Sequence, residues 1–582
     1  MKIKHFFGLA VIAAMTASCS SNEDLGTAGS GTGTNEAGVG YATFTINLPS
    51  VSGTRAADAG GAEVNPGSED EYTVSDATAL IFQEYGADEG SYKFVESVNL
   101  PVTGAWEDAG GGVTKSKKLV AKLTNVDTKN TYGVLVLLNN NITGGVKIAL
   151  PTAGQSYNDW NNTVLSPDLA ELAKTGEFYM ANAPLCESGK VTTLVTIDKT
   201  KIYATETEAK TKTSADVYVE RGVAKMTVAD PGKITVKDKA TSAETKSEVT
   251  FNKWALDITN KKTFAVHNID GLSKKFPAIW TTARFSGLNS RVYWGKDPNY
   301  DNEDLKKNDA TGDDLRDKEF NSITATSEIN KDFTTTTATN PVYCLENTFN
   351  LANMYQGQTT RVIFKATYAP KAVDATTGTI TSLAETDGTF YTIGNMKNIL
   401  KEADLVAAVN AAATSVLSGC TVDYEANLKK EGSHVITLAD IKDASGATLV
   451  ADKDYGGTTG KDIVAAINDK LGLKTGRKEE MVGINTYLKG VTYYIARVKH
   501  FGDALTEWKS GEIYGDNNDK YLGRYGMLRN NWYELKVGNV YGPGYPGVPP
   551  VDPNQPDDEN EKYLSVSVKI LDWAKRSQSV DL

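Results

Sequence analysis

The sequence predicts a mostly β protein built from two β-sandwich domains with helical insertions. Thr, Val, Asn, Gly and Tyr recur in short runs and only 23% of residues are charged, which suits exposed β structure better than a helical enzyme. Short segments with alternating apolar residues occur along the whole chain. At 582 residues the chain is too long for one hydrophobic core, so two large domains are predicted.

The N-terminus has the pattern of a bacterial lipoprotein signal. A basic start, "MKIKH", precedes the apolar stretch "FFGLAVIAAM" (6–15), which is too short to span a membrane as a mature helix. The following "TASC" places Cys19 after small residues, although Thr16 stands where Leu is usual. We therefore predict a signal peptide over 1–18, and the alternative is an ordinary signal peptide with a coincidental cysteine. Both alternatives predict export.

One strand stands alone near the N-terminus, between two segments of small and polar residues. In "YATFTINLP" (41–49) the apolar face is formed by Ala42, Phe44, Ile46 and Leu48. The opposite face carries Thr43, Thr45 and Asn47, which predicts a half-buried strand. Residues 20–38 before it and 50–71 after it are predicted to be a tether and an exposed loop.

The exposed loop contains one basic residue. Arg55 is the only Lys or Arg between Cys19 and Lys93, and small residues surround it. Proteolysis concentrates in loops of this kind, so a trypsin-like protease would cut after Arg55 and release the leader together with strand 41–49. The alternative is an ordinary solvated arginine.

The first large block predicts several strands and one short helix. The strand-like segments are 79–86, 97–104, 116–123, 132–140, 178–186 and 193–199. Ser166 is predicted to cap a helix over 166–174. A Thr-, Lys- and Ala-rich break at 204–216 predicts a domain boundary near residue 212.

The second block continues the β pattern and adds two amphipathic helices. Its predicted strands are 217–230, 233–237, 254–260, 361–370, 491–499 and 530–542. The two helical patterns cover 400–419, which Gly419 ends, and 460–473.

The chain ends in a second isolated strand, placed after the linker "YGPGYPGVPPVDPNQPDDENEK" (541–562). Alternation predicts that Leu564, Val566, Val568 and Ile570 form one apolar face. A lone strand is not stable in water, so this strand must complete a sheet. As a free extended linker, the 22 residues of 541–562 would reach roughly 60–70 Å.

Catalysis and metal binding have little support in the sequence, and the prediction is that the protein is not an enzyme and has no cofactor. After the leader only His267, His434 and His500 remain, and they have no metal-site spacing. There is no GxSxG motif and no phosphate-binding loop. A net charge of −12 argues against nucleic acid as a partner.

Three further cysteines and one acidic loop are also candidate sites. Cys186, Cys344 and Cys420 are widely separated, so at most one bridge can form and buried thiols are the alternative. The loop 297–308 places Asp297, Asn299, Asp301 and Glu303 at alternating positions, as calcium prefers. It lacks the glycine at 302 and the bidentate glutamate at 308, so no metal site is predicted.

Several segments together resemble the Bacteroidales fimbrillins, the type V pilins, and most closely the Mfa-type shaft subunits of the minor fimbrium. The segments are the lipoprotein signal, the strand followed by Arg55, "VLVLLNN" (134–140), "YVERGVAKMTV" (218–228), "YCLENTFN" (343–350), "GVTYYI" (490–495), "RNNWYELKVGNV" (529–540), the Pro-rich linker and "LSVSVKILDW" (564–573). The resemblance extends over essentially the whole chain. It rests on the order of these segments, since none is specific alone.

The resemblance implies two transthyretin-like sandwiches and polymerisation by donor-strand exchange. It implies acylation at Cys19, cleavage between Arg55 and Ala56 by an Arg-specific protease, and loss of strand 41–49. The donor strand would comprise Leu564, Val566, Val568, Ile570 and Trp573. The domain boundaries would then be 1–18 (signal), 19–55 (propeptide), 56–212 and 213–540 (sandwiches), and 541–582 (linker and donor strand).

The function expected from this resemblance is a shaft subunit of a surface fimbrium that supports adhesion. Its partners would be further copies of the chain, anchor and tip subunits, the protease, and the outer membrane through the precursor lipid. The alternatives are a tip or accessory adhesin and a glycan-binding surface lipoprotein. Exposed platforms formed by Trp160, Trp280 and Trp294 would favour the glycan-binding alternative.

Overall fold

The structure is a computed structural model of the chain. It describes residues 33–35, 38–49, 67–108, 115–127, 129–187, 190–212, 215–280, 290–292, 294–306, 310–323, 334–335, 341–373, 380–382, 387–394, 399–423, 429–473, 482–501, 506–509, 514, 518–551, 553–556 and 564–572. Four predicted site residues, Cys19, Arg55, Ala56 and Trp573, lie outside these residues.

The described elements are mainly strands, which confirms the predicted fold class. The longer strands are β1 (Gly40–Asn47), β2 (Ala77–Gln83), β3 (Lys93–Leu100), β4 (Ser116–Leu123), β5 (Tyr132–Leu138), β6 (Met180–Asn182), β7 (Leu185–Glu187), β8 (Lys190–Thr192), β9 (Val195–Ile197), β10 (Ala215–Arg221), β11 (Ala224–Val228), β12 (Lys233–Lys237), β13 (Glu244–Asp257), β14 (Val342–Cys344), β15 (Arg361–Ala369), β16 (Phe390–Ile393), β17 (Gly432–His434), β18 (Ile484–Tyr487), β19 (Val491–Arg497), β20 (Asn531–Val540) and β21 (Leu564–Asp572). The α-helices are α1 (Tyr157–Asn161), α2 (Leu169–Leu172), α3 (Glu206–Thr211), α4 (Leu272–Lys275), α5 (Pro277–Trp280), α6 (Ala310–Glu319), α7 (Glu402–Val416) and α8 (Gly460–Lys470).

The N-terminal domain is one curved sheet around a single core. The strand order is β3-β2-β5-β6-β10-β1-β4, and β9 pairs with β5. The two ends of this path meet, because the carboxylate of Glu96 on β3 accepts hydrogen bonds from the backbone N–H groups of Thr124 (3.0 Å) and Asn125 (2.9 Å), just beyond β4. Side chains from all these strands therefore pack into one hydrophobic cluster.

The short helix predicted over 166–174 is present, but its start differs from the prediction. The helix α2 begins after Asp168, whose carboxylate accepts a hydrogen bond from the backbone N–H of Ala170 at 2.9 Å. Ser166 is therefore not the cap. An aspartate two residues later offers the stronger negative charge at the helix N-terminus.

The predicted domain boundary near residue 212 is too early by one strand. β10 lies between β6 and β1 in the N-terminal sheet, and its Val217 and Val219 are buried in the N-terminal core. The C-terminal domain begins with β11 at Ala224. The continuous apolar pattern of 217–230 hides this boundary, because a Gly222 turn connects two strands that belong to different sheets.

The C-terminal domain is a sandwich of a four-stranded sheet and a five-stranded sheet, whose fifth strand is the short segment Thr334–Thr335 paired with β13. One sheet has the order β14-β11-β20-β21, and the other has β12-β13-β15-β19. The first contributes Met226 and Tyr533 to the core, and the second contributes Phe251, Phe364 and Tyr494. Aromatic side chains packed edge to face, such as Phe251 and Phe364 at 5.4 Å, fill the space between the sheets.

Both predicted helices of the second block are confirmed, and they form a separate small core. α7 and α8 pack with β16, β18 and β17, which form a three-stranded sheet in that order. Leu405 and Val409 of α7 and Ile463 and Ile467 of α8 are almost completely buried there. Among the described residues, no helix is long and apolar enough to span a bilayer.

A buried carboxylate joins the two domains. Glu71 accepts hydrogen bonds from the Lys225 ammonium group (2.7 Å), the Tyr343 hydroxyl (2.6 Å) and the backbone N–H of Ser68 (2.9 Å). The ammonium group of Lys225 also lies 3.8 Å from the centre of the Trp532 ring. Because Glu71 and Lys225 are only 2% and 5% exposed, each charge depends on the other for its solvation.

Glu71→Ala is expected to lower the free energy of unfolding by about 3–5 kcal/mol, because it leaves the Lys225 charge buried without its partner. The double variant with Met at both positions should recover most of this loss, since it buries no charge. Chemical denaturation of the two variants checks the prediction. Equal destabilisation by the single and the double variant would show that the charge pair is not what joins the domains.

Candidate strand-exchange site

The predicted removable strand occupies an interior position in the N-terminal sheet. β1 pairs antiparallel with β4 along its whole length, from Gly40 opposite Leu123 to Asn47 opposite Ser116. On its other side it pairs parallel with β10, from Phe44 opposite Ala215 to Asn47 opposite Tyr218. An interior strand contributes both of its hydrogen-bonding edges to the sheet, so its removal would leave a gap between two unpaired strands.

The four apolar side chains predicted for this strand all enter the core. Ala42, Phe44, Ile46 and Leu48 are between 0% and 1% exposed. They pack in one cluster with side chains of the neighbouring strands, among them Leu119, Ala121 and Val217. Complete burial of these side chains is worth roughly 1.5–3 kcal/mol for each large one.

The opposite face of β1 is more covered than the sequence predicts. Thr43 is only 3% exposed, and its hydroxyl donates a hydrogen bond to the carbonyl oxygen of Ala209 on α3 at 2.7 Å. A Cβ at Gly40 would lie 2.6 Å from a methyl group of Ile202, so no side chain fits at that end. The prediction of a half-buried strand is therefore wrong for Thr43 and Asn47, which are also buried. The covering helix lies far along the chain, where alternation carries no information about it.

Both ends of the segment that contains Arg55 are attached to the folded domain. The backbone N–H of Leu48 donates to the carbonyl oxygen of Lys115 at 2.9 Å just before this segment. Glu71, which joins the two domains, follows it. Arg55 and Ala56 lie between these two attachment points, outside the described residues.

The predicted donor strand is present as β21, at the edge of the C-terminal domain. Its backbone pairs antiparallel with β20, from Leu564 opposite Val540 to Asp572 opposite Asn531, with an irregularity between Val537 and Asn539. β21 is the last strand in the order β14-β11-β20-β21, so one of its backbone edges is unpaired within the described residues. The structure describes only the backbone of β21, and not the side chains of Leu564, Val566, Val568 and Ile570.

The linker before β21 is bound to the C-terminal domain over most of its length, which corrects the prediction of a free segment. Residues 545 and 493 form an isolated β-bridge, with N···O distances of 2.7 and 2.9 Å. The guanidinium of Arg361 donates a hydrogen bond to the carbonyl oxygen of Pro549 at 2.8 Å. The backbone N–H of Gln356 donates a hydrogen bond to the carbonyl oxygen of Gln555 at 3.0 Å. A Pro-rich segment has few donors of its own, but its carbonyl oxygens accept bonds from neighbouring elements.

Asp297, the first residue of the calcium-like pattern, is a buried structural carboxylate. It accepts hydrogen bonds from the backbone N–H groups of Asn299 (2.6 Å) and Thr348 (2.7 Å) and from the side-chain amide of Asn260 (2.7 Å). Asp301 instead contacts Lys275 and Asn350. Within the described ranges, no group of three or more His, Cys, Asp or Glu side chains is placed to hold a metal ion.

The ionisation of Asp297 predicts a pH dependence of stability. Burial raises the pKa of Asp297 to about 7, against the lowering effect of its hydrogen bonds. The folded state favours the neutral carboxyl of Asp297. The stability that this residue contributes is complete below the pKa of about 4 that it has in the unfolded chain, and it is lost as the pH rises through the folded-state pKa of about 7. We expect the melting temperature to fall between pH 5 and pH 8, with a loss of about 2–3 kcal/mol over this range attributable to this residue.

Thermal melts of the unmodified chain and of Asp297→Asn across this pH range test the prediction. The asparagine does not titrate, so its melting temperature should depend less on pH. If the melting temperatures of the two chains changed equally with pH, Asp297 would not be the group that causes the pH dependence.

The three cysteines and two of the three tryptophans considered as platforms are buried. Cys186, Cys344 and Cys420 are free thiols with 0–1% exposure. Trp160 and Trp294 are 5% and 0% exposed, so they do not form the exposed platforms that would favour the glycan-binding alternative. The structure does not describe the side chain of Trp280.

The C-terminal part of the chain matches a known family model. Residues 485–579 match the model described as major fimbrial subunit protein type IV, fimbrillin, C-terminal. This range contains β19, the bound linker segment and β21. The matched segment is therefore similar to the C-terminal part of fimbrial subunits, and it includes the strand predicted to be the donor.

Two solved structures from Parabacteroides distasonis were found to be similar in the structural comparison. One is named as a candidate cell adhesion protein, with 12% identity, a TM-score of 0.35, and coverage of 91% of this chain and 96% of that chain. The other is a fimbrial assembly protein with 10% identity, a TM-score of 0.26, and coverage of 59% and 98%. The comparison with curated proteins found no match.

Proposed function

We propose that the protein is a shaft subunit of a surface fimbrium that polymerises head-to-tail by donor-strand exchange. The observation that carries this proposal is the position of β1, an interior strand whose four apolar side chains are buried and which precedes the single basic residue of its loop. The match of residues 485–579 to a fimbrillin C-terminal model supports the assignment to fimbriae.

In this proposal the precursor is exported and acylated at Cys19, and an Arg-specific protease cuts between Arg55 and Ala56. The cut releases the lipid anchor and allows β1 to leave. The vacated groove lies between β4 and β10, and β21 of another copy enters it because its apolar residues have the same alternation. Anchor and tip subunits would terminate the filament at the cell surface.

The gross energy of the inserted strand is large, but β21 gives up its pairing with β20 when it inserts, so only the difference between the two pairings drives exchange. Four buried aliphatic side chains contribute roughly 6–12 kcal/mol gross, and about ten ladder hydrogen bonds add about 1 kcal/mol each. Association costs about 4–15 kcal/mol. A donor at one end of the chain and an acceptor at the other form a heterologous contact, which propagates as a filament.

The bound linker changes the predicted geometry of the filament. If the segment up to Pro556 stays on its own domain, the arm that crosses to the neighbour consists of residues 557–572. Its 16 residues span about 50 Å when extended, instead of the roughly 60–70 Å estimated for the linker alone. The donor strand must also leave β20 before it can insert, so neighbouring subunits would stand close together.

Cleavage of the soluble precursor tests the proposal. A chain that starts at Ser20 is treated with an Arg-specific protease and run unboiled on a denaturing gel. We expect a ladder of oligomers that disappears for Arg55→Ala and for a chain ending at Lys562. A chain that starts at Ala56 should form the ladder without protease. A cut chain that stays monomeric would contradict the shaft assignment and would favour a tip or glycan-binding role.

A further inference from the structure

A polar cavity of about 500 Å³ lies between the N-terminal domain and a segment of the chain beyond Ala224, and no residue of β1 or β21 lines it. Three parts of that domain form its walls: the turn 87–90, the helix α1 and the strand β8. The fourth wall is the segment 267–274, which includes the start of α4. The volume is in the range of sites for small molecules and is too small for a folded partner.

Buried polar side chains fix these walls relative to one another. The Glu89 carboxylate accepts hydrogen bonds from the backbone N–H groups of Thr193 (2.8 Å) and Leu194 (2.9 Å), which attaches the end of β8 to the turn 87–90. The carbonyl oxygen of the Asn161 side chain accepts from the backbone N–H of Val266 at 2.8 Å, which attaches the fourth wall to α1. The cavity is therefore formed before any ligand binds.

His267 is held within the fourth wall by a carboxylate on β10. Its Nδ1 lies 2.9 Å from Oε1 of Glu220, and both side chains are at most 3% exposed. Its Nε2 is buried and has no hydrogen-bond partner. Gly295 leaves the space for the ring, since a Cβ there would lie 2.3 Å from it. The imidazole ring is thus a rigid polar part of the cavity wall.

Several hydrogen-bonding side chains around the cavity are unused. Among the described residues, the side chains of Asn158, Lys190, Asp270, Ser273 and Lys274 form no hydrogen bond or ion pair, although all five line the cavity. They include donors, acceptors and groups that act as both. The positive charges of Lys190 and Lys274 face the carboxylates of Asp88, Glu89 and Asp270, and burial raises the pKa of Glu89 to about 7, so its negative charge is only partial near neutral pH.

We propose that this cavity binds an uncharged oligosaccharide. A ligand with many hydroxyl groups satisfies donors and acceptors together, because each hydroxyl can donate and accept. The near balance of charge gives no net attraction to an anion or a cation. Tyr157, Val191 and Ile269 add apolar surface to the walls, against which the carbon-bound face of a sugar ring can pack.

The proposal goes beyond the assembly function and does not depend on it. The cavity contains no residue of β1, β4 or β21, so binding should be the same in a cut and an uncut chain. A chain that failed to polymerise could still bind the sugar, and a chain that polymerised could fail to bind it. An experiment can therefore contradict either the assembly proposal or the binding proposal without contradicting the other.

The test uses the chain from Ser20 to Leu582 on a printed array of mammalian and bacterial oligosaccharides. The strongest neutral binder is then titrated by calorimetry. Ser273→Trp places a large side chain at the cavity from an exposed position and should weaken binding at least tenfold. Ser418→Trp is the matched control, since Ser418 is an exposed serine after the helix α7, and its affinity should be unchanged.

A second variant keeps the test independent of folding effects. Asp270→Ala with Lys274→Ala removes two exposed groups of opposite charge and should also weaken binding at least tenfold. The inference is overturned if no neutral oligosaccharide binds on the array. It is also overturned if binding persists unchanged in Ser273→Trp, or if only charged glycans bind.

Discussion

Phe44→Ala is expected to lower the free energy of unfolding of the uncut chain by about 3–5 kcal/mol and to let that chain polymerise slowly without protease. Phe44 is completely buried in the middle of β1, so its truncation leaves a cavity in the N-terminal core. Truncation of Phe44 weakens the packing of β1 in the groove between β4 and β10, while the side chains that β4 and β10 contribute to the groove are unchanged. A donor strand from another copy can then compete with β1 for the groove.

The matched control for this variant is Phe251→Ala. Phe251 is 3% exposed in the core of the C-terminal domain, so its truncation should cost a similar free energy. It does not contact β1, and the uncut variant should remain monomeric. Denaturation curves and size-exclusion chromatography over several days compare the two variants. Polymerisation of both variants would show that instability in general, and not loosening of β1, starts assembly. Polymerisation of neither would show that loosening of β1 does not open the groove to a donor strand.

Val568→Asp is expected to abolish the ladder of oligomers after cleavage while the monomer remains folded. An aspartate at this position would have to be buried in the apolar groove without a partner, at a cost of several kcal/mol. In the monomer Val568 stands opposite the buried Leu535 of β20, so the same change is also expected to lower the stability of the folded chain.

Ser567→Asp is the control for Val568→Asp. Alternation places residue 567 on the opposite face of the strand, so it should not enter the apolar groove, and oligomers should still form. Thermal melts establish that both variants are folded, and unboiled gels report their assembly. An unimpaired ladder for Val568→Asp would exclude the face formed by 564, 566, 568 and 570 as the inserted face.

Local alternation predicted individual strands well in this chain. The prediction for 116–123 coincides with β4, and that for 41–49 differs from β1 by one or two residues at its ends. The four core residues of β1 were identified because period-two alternation is a local property that burial of one face imposes. The two helices of the second block were found for the same reason, since their apolar faces repeat over several turns.

Properties that depend on distant contacts were not predictable. Thr43 looked solvent-exposed, because nothing near it in the sequence indicates that α3 covers it. β10 was assigned to the wrong domain, since its pairing with β1 joins residues more than 150 positions apart. The linker looked free, because its partner Arg361 lies almost 190 residues away.

The site residues missed by sequence reasoning are also polar groups with distant partners. Glu71 and Lys225 gave no signal, since a single acid and a single base in separate segments are ordinary surface residues until the fold brings them together. His267 was noted only as an isolated histidine. The pairing of β1 with β4 and β10 defines the proposed groove, and no local pattern could have identified these two neighbours.

A disulfide between two chains would show whether β21 of one copy enters the groove left by β1 in another. Lys118 on β4 is exposed and lies opposite Thr45 of β1, so one chain carries Lys118→Cys. The other carries a cysteine at Ser565, Ser567 or Lys569, which scans the register of the donor strand. The native cysteines are buried and should not react under native conditions.

The two chains are mixed, cut with an Arg-specific protease, oxidised mildly and run on a non-reducing gel. We expect a disulfide-linked heterodimer that forms only after cleavage and is strongest for one of the three donor positions. A Ser418→Cys chain in place of Lys118→Cys should give no such product. Oligomers that form without any of the three cross-links, or cross-links that form equally without cleavage, would contradict donor-strand exchange at this groove.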